Sequence, residues 1–279
     1  MSGISVRVLA DSISPSGKRI TTFSLRYARF IHSEVLTHRS FSRNSSSSRA
    51  IPIKKNIKQV WTEPVKPIYW GKAQPGMLVT EELGPVRRFL CKSIWWLASK
   101  LACCIAKCFE VLGLAKSFSN RILEPFIYIS TIITATEWDN MYSLRVASDS
   151  QPEFLQLAKL MLEAQNNSTP ELLNIGEWHL PYITKEEKEI FKTEELIKMS
   201  MARCARVSTL NHDGTIPNIW ADVKLADRLI KDGHMSPSEH VCTPLDIPTE
   251  RSANLIGWKS YRTTLPNECR SNYPGLLKK

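Results

Sequence analysis

The 279-residue sequence lacks several patterns that mark common classes of protein. It has no Cys-x-x-Cys pair, which argues against structural zinc, and no Gly-x-Ser-x-Gly turn to expose a nucleophilic serine. Its first residues lack a basic start followed by an apolar run, so we expect no signal peptide. With 43% hydrophobic and 23% charged residues, it is not a wholly disordered chain, a collagen-like repeat or a multi-span membrane protein.

Acidic residues are scarce at the start of the chain. Residues 1–60 carry 11 Lys and Arg side chains against 2 Asp and Glu, whereas the other 219 residues carry 26 against 25. Positive charge concentrates anionic ligands near a protein surface. We therefore expect the first 60 residues to meet whatever anion this protein binds.

Three of the seven cysteines lie close together, at Cys103, Cys104 and Cys108. Their adjacent and one-turn spacing on an apolar helix predicts reduced, buried thiols that pack as small hydrophobic residues.

Long uninterrupted apolar runs are also missing. The most apolar stretch, residues 93–114, is broken by Lys100, Lys107 and Glu110, whereas a membrane span needs roughly 20 residues nearly free of charge. We interpret the stretch as a core or interface helix of a cytoplasmic protein with no membrane partner. A membrane-surface helix is the alternative, because Trp95 and Trp96 lie on it.

The hydrophobic spacing predicts a single α+β domain with a mixed or antiparallel sheet flanked by helices. Residues 126–136 are apolar and β-branched, and their periodicity does not decide between a buried strand and a buried helix. The prolines between residues 52 and 75 predict no long regular structure. Strands are predicted at 6–10 and 19–27, and helices at 28–37, 85–114, 137–146, 153–164, 193–207 and 221–230.

The polar segment 38–49 is dense in hydrogen-bond donors. It holds three arginines, one histidine, one asparagine and six serines, five of them between Ser42 and Ser48. Arginine forks bind phosphate oxygens with two hydrogen bonds, and hydroxyls and loop amides complete such a shell. Composition alone favours a flexible, solvated Ser/Arg linker instead.

Residue Arg145 lies among apolar neighbours on a predicted helix. It is either a structural partner of Glu137 or Asp149, which the spacing favours, or a clamp for a ligand. Arg121, taken alone, is typical of a surface residue.

The last third of the chain contains two motifs, at 202–208 and 233–240. His234 and His240 have no third metal ligand at a useful spacing, so a metal site is not expected. The order Ser236, Pro237 and Glu239 is typical of a capped helix start, with Ser236 as the cap. Such a start favours anions.

These segments together resemble the flavin-dependent thymidylate synthases. The signature of that family reads Arg-His-Arg-x-x-Ser-x-Asn-Glu-x-Ser-x-Arg. Six of its positions are matched here, by His38, Arg39, Ser42, Asn44, Ser47 and Arg49.

Three further family segments have counterparts. An Ala-Arg-x-Ser stretch is matched at 205–208, and a Gly-His-x-Ser/Thr-Pro-x-Glu-His loop at 233–240. A helix with Asn-x-x-x-Leu-Arg and the turn after it are matched at 140–153. In the common family members the Ala-Arg-x-Ser and Gly-His-x-Ser/Thr-Pro segments precede the signature. Here both follow all the other segments, so the chain resembles a circularly permuted phage and bacterial branch. We place a helical insertion of that branch at about residues 61–117.

The sequence also departs from the signature. Thr37 replaces its first arginine, Ser45 its glutamate, and Ala50 stands where an aromatic residue is usual. The first two changes remove contacts that help the family hold flavin and nucleotide. Arg43, at a free position of the signature, is a candidate for supplying the missing charge.

The resemblance implies an enzyme that methylates dUMP to dTMP, with methylenetetrahydrofolate as carbon donor and NADPH as reductant through FAD. It implies Arg145 as the catalytic residue beside the uracil ring, and a homotetramer with shared sites. The implied dUMP contacts are Ser47, Arg49, Arg121 and Arg145. The implied FAD contacts are His38, Arg39, Asn44, Asn140, Ser208, Ser236 and Glu239.

Two other functions remain open from the sequence. The changes at Thr37 and Ser45 allow a flavin- and nucleotide-binding relative that has lost turnover. A nucleic-acid-binding module is the other alternative, but Phe41 is the one aromatic residue within the signature window, whereas single-strand platforms interleave several. We expect no nucleic-acid partner.

Overall fold

The computed structural model describes residues 3–76 and 79–268. These residues form a mixed five-stranded sheet flanked by helices, so the predicted α+β class is confirmed. The strands are β1 (Ser5–Ile13), β2 (Arg19–Ala28), β3 (Ser42–Ser45), β4 (Tyr128–Ala135), β5 (Glu171–Leu172), β6 (Cys242–Pro244), β7 (Arg251–Ser252), β8 (Leu255–Ile256) and β9 (Trp258–Ser260). The α-helices are α1 (His32–Val35), α2 (Ile53–Thr62), α3 (Pro85–Val111), α4 (Lys116–Ser119), α5 (Asp139–Arg145), α6 (Pro152–Asn166), α7 (Lys185–Ile190), α8 (Thr193–Arg206) and α9 (Ile219–Lys231).

The main sheet has the strand order β3-β4-β2-β1-β5. All its pairs are antiparallel except β1 with β5. The undecided stretch 126–136 contains β4, which pairs with β2 on one side and β3 on the other. Its β-branched residues suit this place, because a central strand is buried on both faces.

Alternate residues of the central strands face two different layers, as the period of two in a strand requires. Phe23 and Leu25 of β2 and Ile133 of β4 join the large core cluster beneath α5 and α6. Ile132, on the opposite face of β4, packs with Cys204 at the end of α8. The sheet therefore holds α5 and α8 on opposite sides of β4.

Two elements were not predicted. The proline-rich stretch contains α2, which begins directly after Pro52 and fits before Pro64. Its apolar Ile53, Ile57 and Val60 pack in one cluster with α3. This packing stabilises the helix, whereas Pro52 and Pro64 only limit its length. Segment 38–49 contains β3, a strand without apolar alternation that is held by its backbone pairing to β4.

The predicted helix at 28–37 is shorter than expected. A 3-10 turn over Arg29–Ile31 precedes the single turn α1. The predicted cap at Ser236 is also wrong, because Met235 precedes a five-residue 3-10 helix and no side chain caps it. The remaining predicted helices are confirmed with shifts of a few residues at their ends.

The environment of α3 differs from the predicted core helix. Among the described residues it is the one helix long and apolar enough to cross a membrane. Only 22% of its most apolar 18-residue stretch is buried, whereas a core helix is mostly buried. Of the clustered thiols, Cys103 is buried as predicted, but Cys104 and Cys108 are exposed because they lie on the outer side of the helix.

Candidate functional site

Strand β3 joins three of the four motif segments. The side-chain nitrogen of Asn44 donates hydrogen bonds to the carbonyl oxygens of Cys204 (2.8 Å) and Ala205 (3.4 Å). Its side-chain oxygen accepts one from Ser236 Oγ at 3.4 Å. These partners lie more than 150 residues away along the chain, so the fold brings distant matches of the family pattern to one place.

The fourth segment reaches the signature through Arg145, the last residue of α5. Its Nε donates to His38 Nε2 at 3.1 Å, and its guanidinium lies 4.7 Å from the centre of the Phe154 ring. The predicted pairing with Glu137 or Asp149 is wrong: Glu137 binds Lys18 at 3.1 Å instead.

The His38 ring provides a neutral support for Arg145. It is buried, stacks on Phe41 and meets the edge of Phe154. Burial, with help from the nearby Arg145 and Arg43 cations, lowers the pKa of His38. The unprotonated ring nitrogen can then accept the arginine N–H at neutral pH.

A large cleft opens beside Arg145, with a volume of about 930 Å³. Its walls combine aromatic rings with carboxylates, a lining that suits a ring-bearing ligand with hydrogen-bonding edges. One carboxylate, Glu153, is already held by the Ile68 amide at 2.7 Å. The rings are Phe30, Tyr69, Trp95 and Phe154, and the carboxylates are Glu34, Asp149 and Glu153.

A second pocket, of about 410 Å³, lies where the signature segment leaves β3. No acidic residue is among the described residues that line it. Its hydroxyls come from Ser46, Ser130, Ser208 and Tyr128, and its cations are Arg26, Lys55 and Arg206. His212 also lines it as a neutral ring, because burial and the neighbouring cations lower its pKa. Such a lining favours an anion, because cations and hydroxyl donors together match phosphate oxygens.

Backbone strain occurs at the edge of this pocket. Val207 has a φ of 57°, a left-handed conformation that β-branched residues rarely adopt. It ends α8 and places Ser208 at the pocket, where Ser208 Oγ accepts the Leu210 N–H at 3.0 Å. Strain held in place by packing is common at binding sites.

Comparisons with known proteins find similarity in structure alone. No family model matches the chain, and no curated protein matches it. A solved structure of the UMP/dUMP methylase PolB from Streptomyces cacaoi, bound with 5-Br dUMP, matches with a TM-score of 0.45 and 16% identity, over 59% of this chain and 90% of that one. The same protein bound with 5-Br UMP matches with a TM-score of 0.44 and 16% identity, over 59% and 89% of the two chains. At this level of similarity the activity of those proteins does not transfer to this chain.

The implied dUMP contacts other than Arg145 lie on the surface. Ser47 and Arg49 are exposed, and Ser47 Oγ accepts the Arg49 backbone N–H at 3.3 Å. Arg121 pairs with Glu124 at 2.9 Å. The chain does not bring these residues to Arg145 by any described contact.

The other implied FAD contacts differ in their surroundings. Arg39 and Asn140 are exposed, and the described part of the chain gives neither side chain a hydrogen bond or ion pair. Glu239 is already bound by Arg262 at 2.5 Å. A flavin contact at Glu239 would therefore share its carboxylate with Arg262.

The residues at the departures from the signature have local partners. Thr37 Oγ1 donates to the Glu34 carbonyl at 2.6 Å, and Ser45 Oγ accepts from Thr131 Oγ1 at 3.0 Å. Arg43 donates to the carbonyls of Leu36 (2.7 Å) and His38 (3.1 Å), so its guanidinium is partly engaged beside the signature.

A buried polar chain crosses the sheet behind the site and ends at His240, the last residue of the 233–240 motif; its other members belong to no motif. His179 bridges Ser12 (2.8 Å) and Thr22 (2.7 Å), and Thr22 contacts Thr134 at 2.6 Å. Thr134 in turn contacts His240 Nδ1 at 2.8 Å. Burial lowers the pKa of both histidines to about 3, so both are neutral and structural at neutral pH.

A second unpredicted network fixes the helix that carries the Ala-Arg-x-Ser match. Asp222 of α9 is buried between two arginines of α8, binding Arg203 at 3.1 Å and Arg206 more closely. Arg203 also binds Glu187 at 2.6 Å. The spacing of two arginines three residues apart was the available signal, since it places them on one face of a helix.

Proposed function

We propose that this chain is a flavin-dependent thymidylate synthase, which converts dUMP, methylenetetrahydrofolate, NADPH and a proton to dTMP, tetrahydrofolate and NADP⁺. The observation that carries the proposal is the meeting of all four motif segments around β3 and Arg145. Asn44 binds Cys204, Ala205 and Ser236, and His38 binds Arg145. The similar UMP/dUMP methylase structures concern the same class of reaction, and the proposal does not depend on them.

The basic pocket fits the phosphate groups of the proposed ligands. It combines Ser208, an implied FAD contact, with the cations of Lys55 and Arg206 and lacks carboxylates among its described lining. Asn44 and Ser236 would hold FAD nearby, with His38 toward Arg145. When bound, FAD supplies hydride transfer from NADPH, so the protein's part is to bind, orient and stabilise charge.

Arg145 would act on the pyrimidine. Its contacts with His38 and Phe154 fix the plane of the guanidinium, and a guanidinium has five N–H donors. Donors not used by His38 or Thr37 can stabilise the negative charge that develops on uracil as its C5 becomes nucleophilic.

The cysteine nearest the site is unsuited to nucleophilic attack. Cys204 accepts the Asn44 hydrogen bond through its carbonyl, and its side chain is buried. Burial raises the pKa of the Cys204 thiol, so it stays protonated at neutral pH. A mechanism without a protein thiolate is therefore proposed.

Assembly would complete the site. Arg39, Arg49 and Asn140 lie exposed and apart from the Arg145 cleft, so we propose that they act on ligands shared with a neighbouring subunit of a homotetramer.

The test is turnover by the purified protein. Incubation with dUMP, methylenetetrahydrofolate, NADPH and FAD is expected to yield dTMP. Omitting any of the three substrates, or stripping the bound FAD, is expected to abolish it. Failure to form dTMP with flavin bound would favour the impaired relative, which the engaged Thr37 and Ser45 make the second candidate. Complementation of a thymidine-requiring strain provides the same distinction in cells.

A further inference from the structure

Helix α3 is apolar on two opposite faces. Ala102, Cys103 and Ala106 pack inward with α2 in one cluster. The outer face leaves large apolar side chains in solvent, many of them more than half exposed. They are Val86, Phe89, Leu90, Ile94, Trp96, Leu97, Leu101 and Val111. A helix that is apolar all round is normally covered on every face, so this outer face needs an occupant.

The width of the outer face indicates what kind of occupant it fits. At about 100° per residue, the exposed apolar side chains from Trp96 round to Ile94 cover an arc of roughly 160°. The seam that one partner helix covers in a coiled coil is a narrower stripe. A wide arc suits an extended apolar medium better than a single helix.

The charges on α3 have almost one sign. Two of its five basic side chains are paired, Arg88 with Glu82 and Lys107 with Glu110, which leaves Arg87, Lys92 and Lys100 without an acidic partner among the described residues. At about 100° per residue, Lys100 lies within the apolar arc, and Arg87 and Lys92 lie just beyond its two ends. A second copy docked on this face by two-fold symmetry would bring these three cations against the same set, which is unfavourable. An anionic surface matches this charge.

Tryptophan and lysine lie together along the same helix. The Lys100 ammonium lies 4.8 Å from the Trp61 ring centre and 5.4 Å from that of Trp96, and both rings are about half exposed. Tryptophan and lysine are enriched where a protein meets the headgroup region of a bilayer, because each has an apolar body and a polar tip.

We propose that α3 is a docking helix for an anionic lipid membrane, lying in the plane of its surface. It would not cross the bilayer, because its inner face is packed on α2 and would have to separate from it. The helix belongs to the insertion at about 61–117, outside the segments that resemble the synthases, so this inference is independent of the proposed function. It reverses our expectation of no membrane partner.

Vesicle co-sedimentation of the full chain tests the proposal. We expect binding to phosphatidylcholine vesicles that contain phosphatidylserine and little binding to phosphatidylcholine alone. Leu97→Glu with Leu101→Glu should abolish it. Ile216→Glu with Trp220→Glu, which changes apolar residues elsewhere that are more exposed than Leu97 and Leu101, is the control and should bind as the unmodified chain does.

A charge variant keeps the test valid if the double-glutamate protein does not fold. Arg87 and Lys92 are exposed, with no ion pair among the described residues. Arg87→Gln with Lys92→Gln should weaken binding to the anionic vesicles roughly ten- to a hundredfold.

Three results would overturn the proposal. The unmodified chain could stay in the supernatant with anionic vesicles, or both α3 variants could bind as well as it does. Alternatively, Leu97→Glu with Leu101→Glu could lower the sedimentation coefficient without lipid, which would assign the face to a second copy of the chain.

Discussion

At the scale of single residues, a substitution of Arg145 gives the most direct test of the proposed function. The proposed function predicts that Arg145→Ala keeps flavin bound but slows dTMP formation several hundredfold, on the scale of losing one transition-state donor, about 2.7–4 kcal/mol. Single-turnover measurement with bound dUMP gives the rate. Near-normal turnover would remove the assigned role.

Alanine substitutions at Asn44 and Asn140 distinguish an effect on protein stability from an effect on FAD binding. Asn44→Ala removes the link between β3, α8 and Ser236, and should lower the free energy of unfolding by about 1–2 kcal/mol as well as weaken FAD retention. Asn140→Ala, at an exposed position, should weaken FAD retention and leave stability within about 0.5 kcal/mol. Urea unfolding and flavin titration measure the two effects. Equal stability of both variants would contradict the link.

An Arg43 variant tests whether this arginine compensates for the departures from the family signature. If its guanidinium replaces the charge missing at Thr37, Arg43→Ala should weaken dUMP binding, measured by calorimetry. Unchanged affinity would leave Arg43 with its structural contacts to Leu36 and His38.

Local spacing predicted the wrong partner for Arg145. The structure places Asn44 and Arg145 at contacts between motif segments, and their roles toward ligands stay predictions. The spacing near Arg145 suggested Glu137 or Asp149, but its partner is His38, 107 residues away. Local spacing cannot show a contact that only the folded sheet creates.

At the scale of elements, the contact between α8 and α9 depends on one buried acid. Asp222→Ala would leave Arg203 and Arg206 without that carboxylate, and should cost about 3–5 kcal/mol of unfolding free energy. Asp227→Ala on the same helix breaks an exposed pair with Lys198 and should cost less than about 1 kcal/mol. Chemical denaturation compares the two, and similar losses would contradict the network's importance.

The buried histidine chain predicts acid sensitivity. His179 and His240 have pKa values of about 3 in the folded chain, below the ordinary 6.5, so the unfolded chain binds more protons between these values. Stability is then complete above about pH 6.5 and falls as the pH drops toward 3. His240→Gln should reduce the slope of unfolding free energy against pH near pH 5 by about 1.4 kcal/mol per pH unit. An unchanged slope would contradict the buried neutral state.

The elements recovered from sequence are those with strong periodicity. Strands β1 and β2 and helices α6, α8 and α9 follow their apolar patterns. Strand β3 and helix α2 were missed because β3 depends on pairing with β4, and α2 depends on packing against α3. Such tertiary contacts leave no local pattern in the chain.

At the scale of the whole molecule, the uneven charge and the placement of the motifs agree. The basic first 60 residues supply β3, the signature and two cations of the second pocket, Arg26 and Lys55. The remaining motif segments contact them from the middle of the chain, through Arg145, and from its last third, through Cys204, Ala205 and Ser236. The proposed function, a basic site for the anionic flavin and nucleotide, would account for both observations.

The most direct test of that account is a visible absorption spectrum. The purified protein is mixed with FAD and dUMP, gel-filtered to remove unbound flavin, and scanned. We predict a retained oxidised-flavin spectrum, reduced in Asn44→Ala. A colourless protein that does not retain FAD would contradict the central claim.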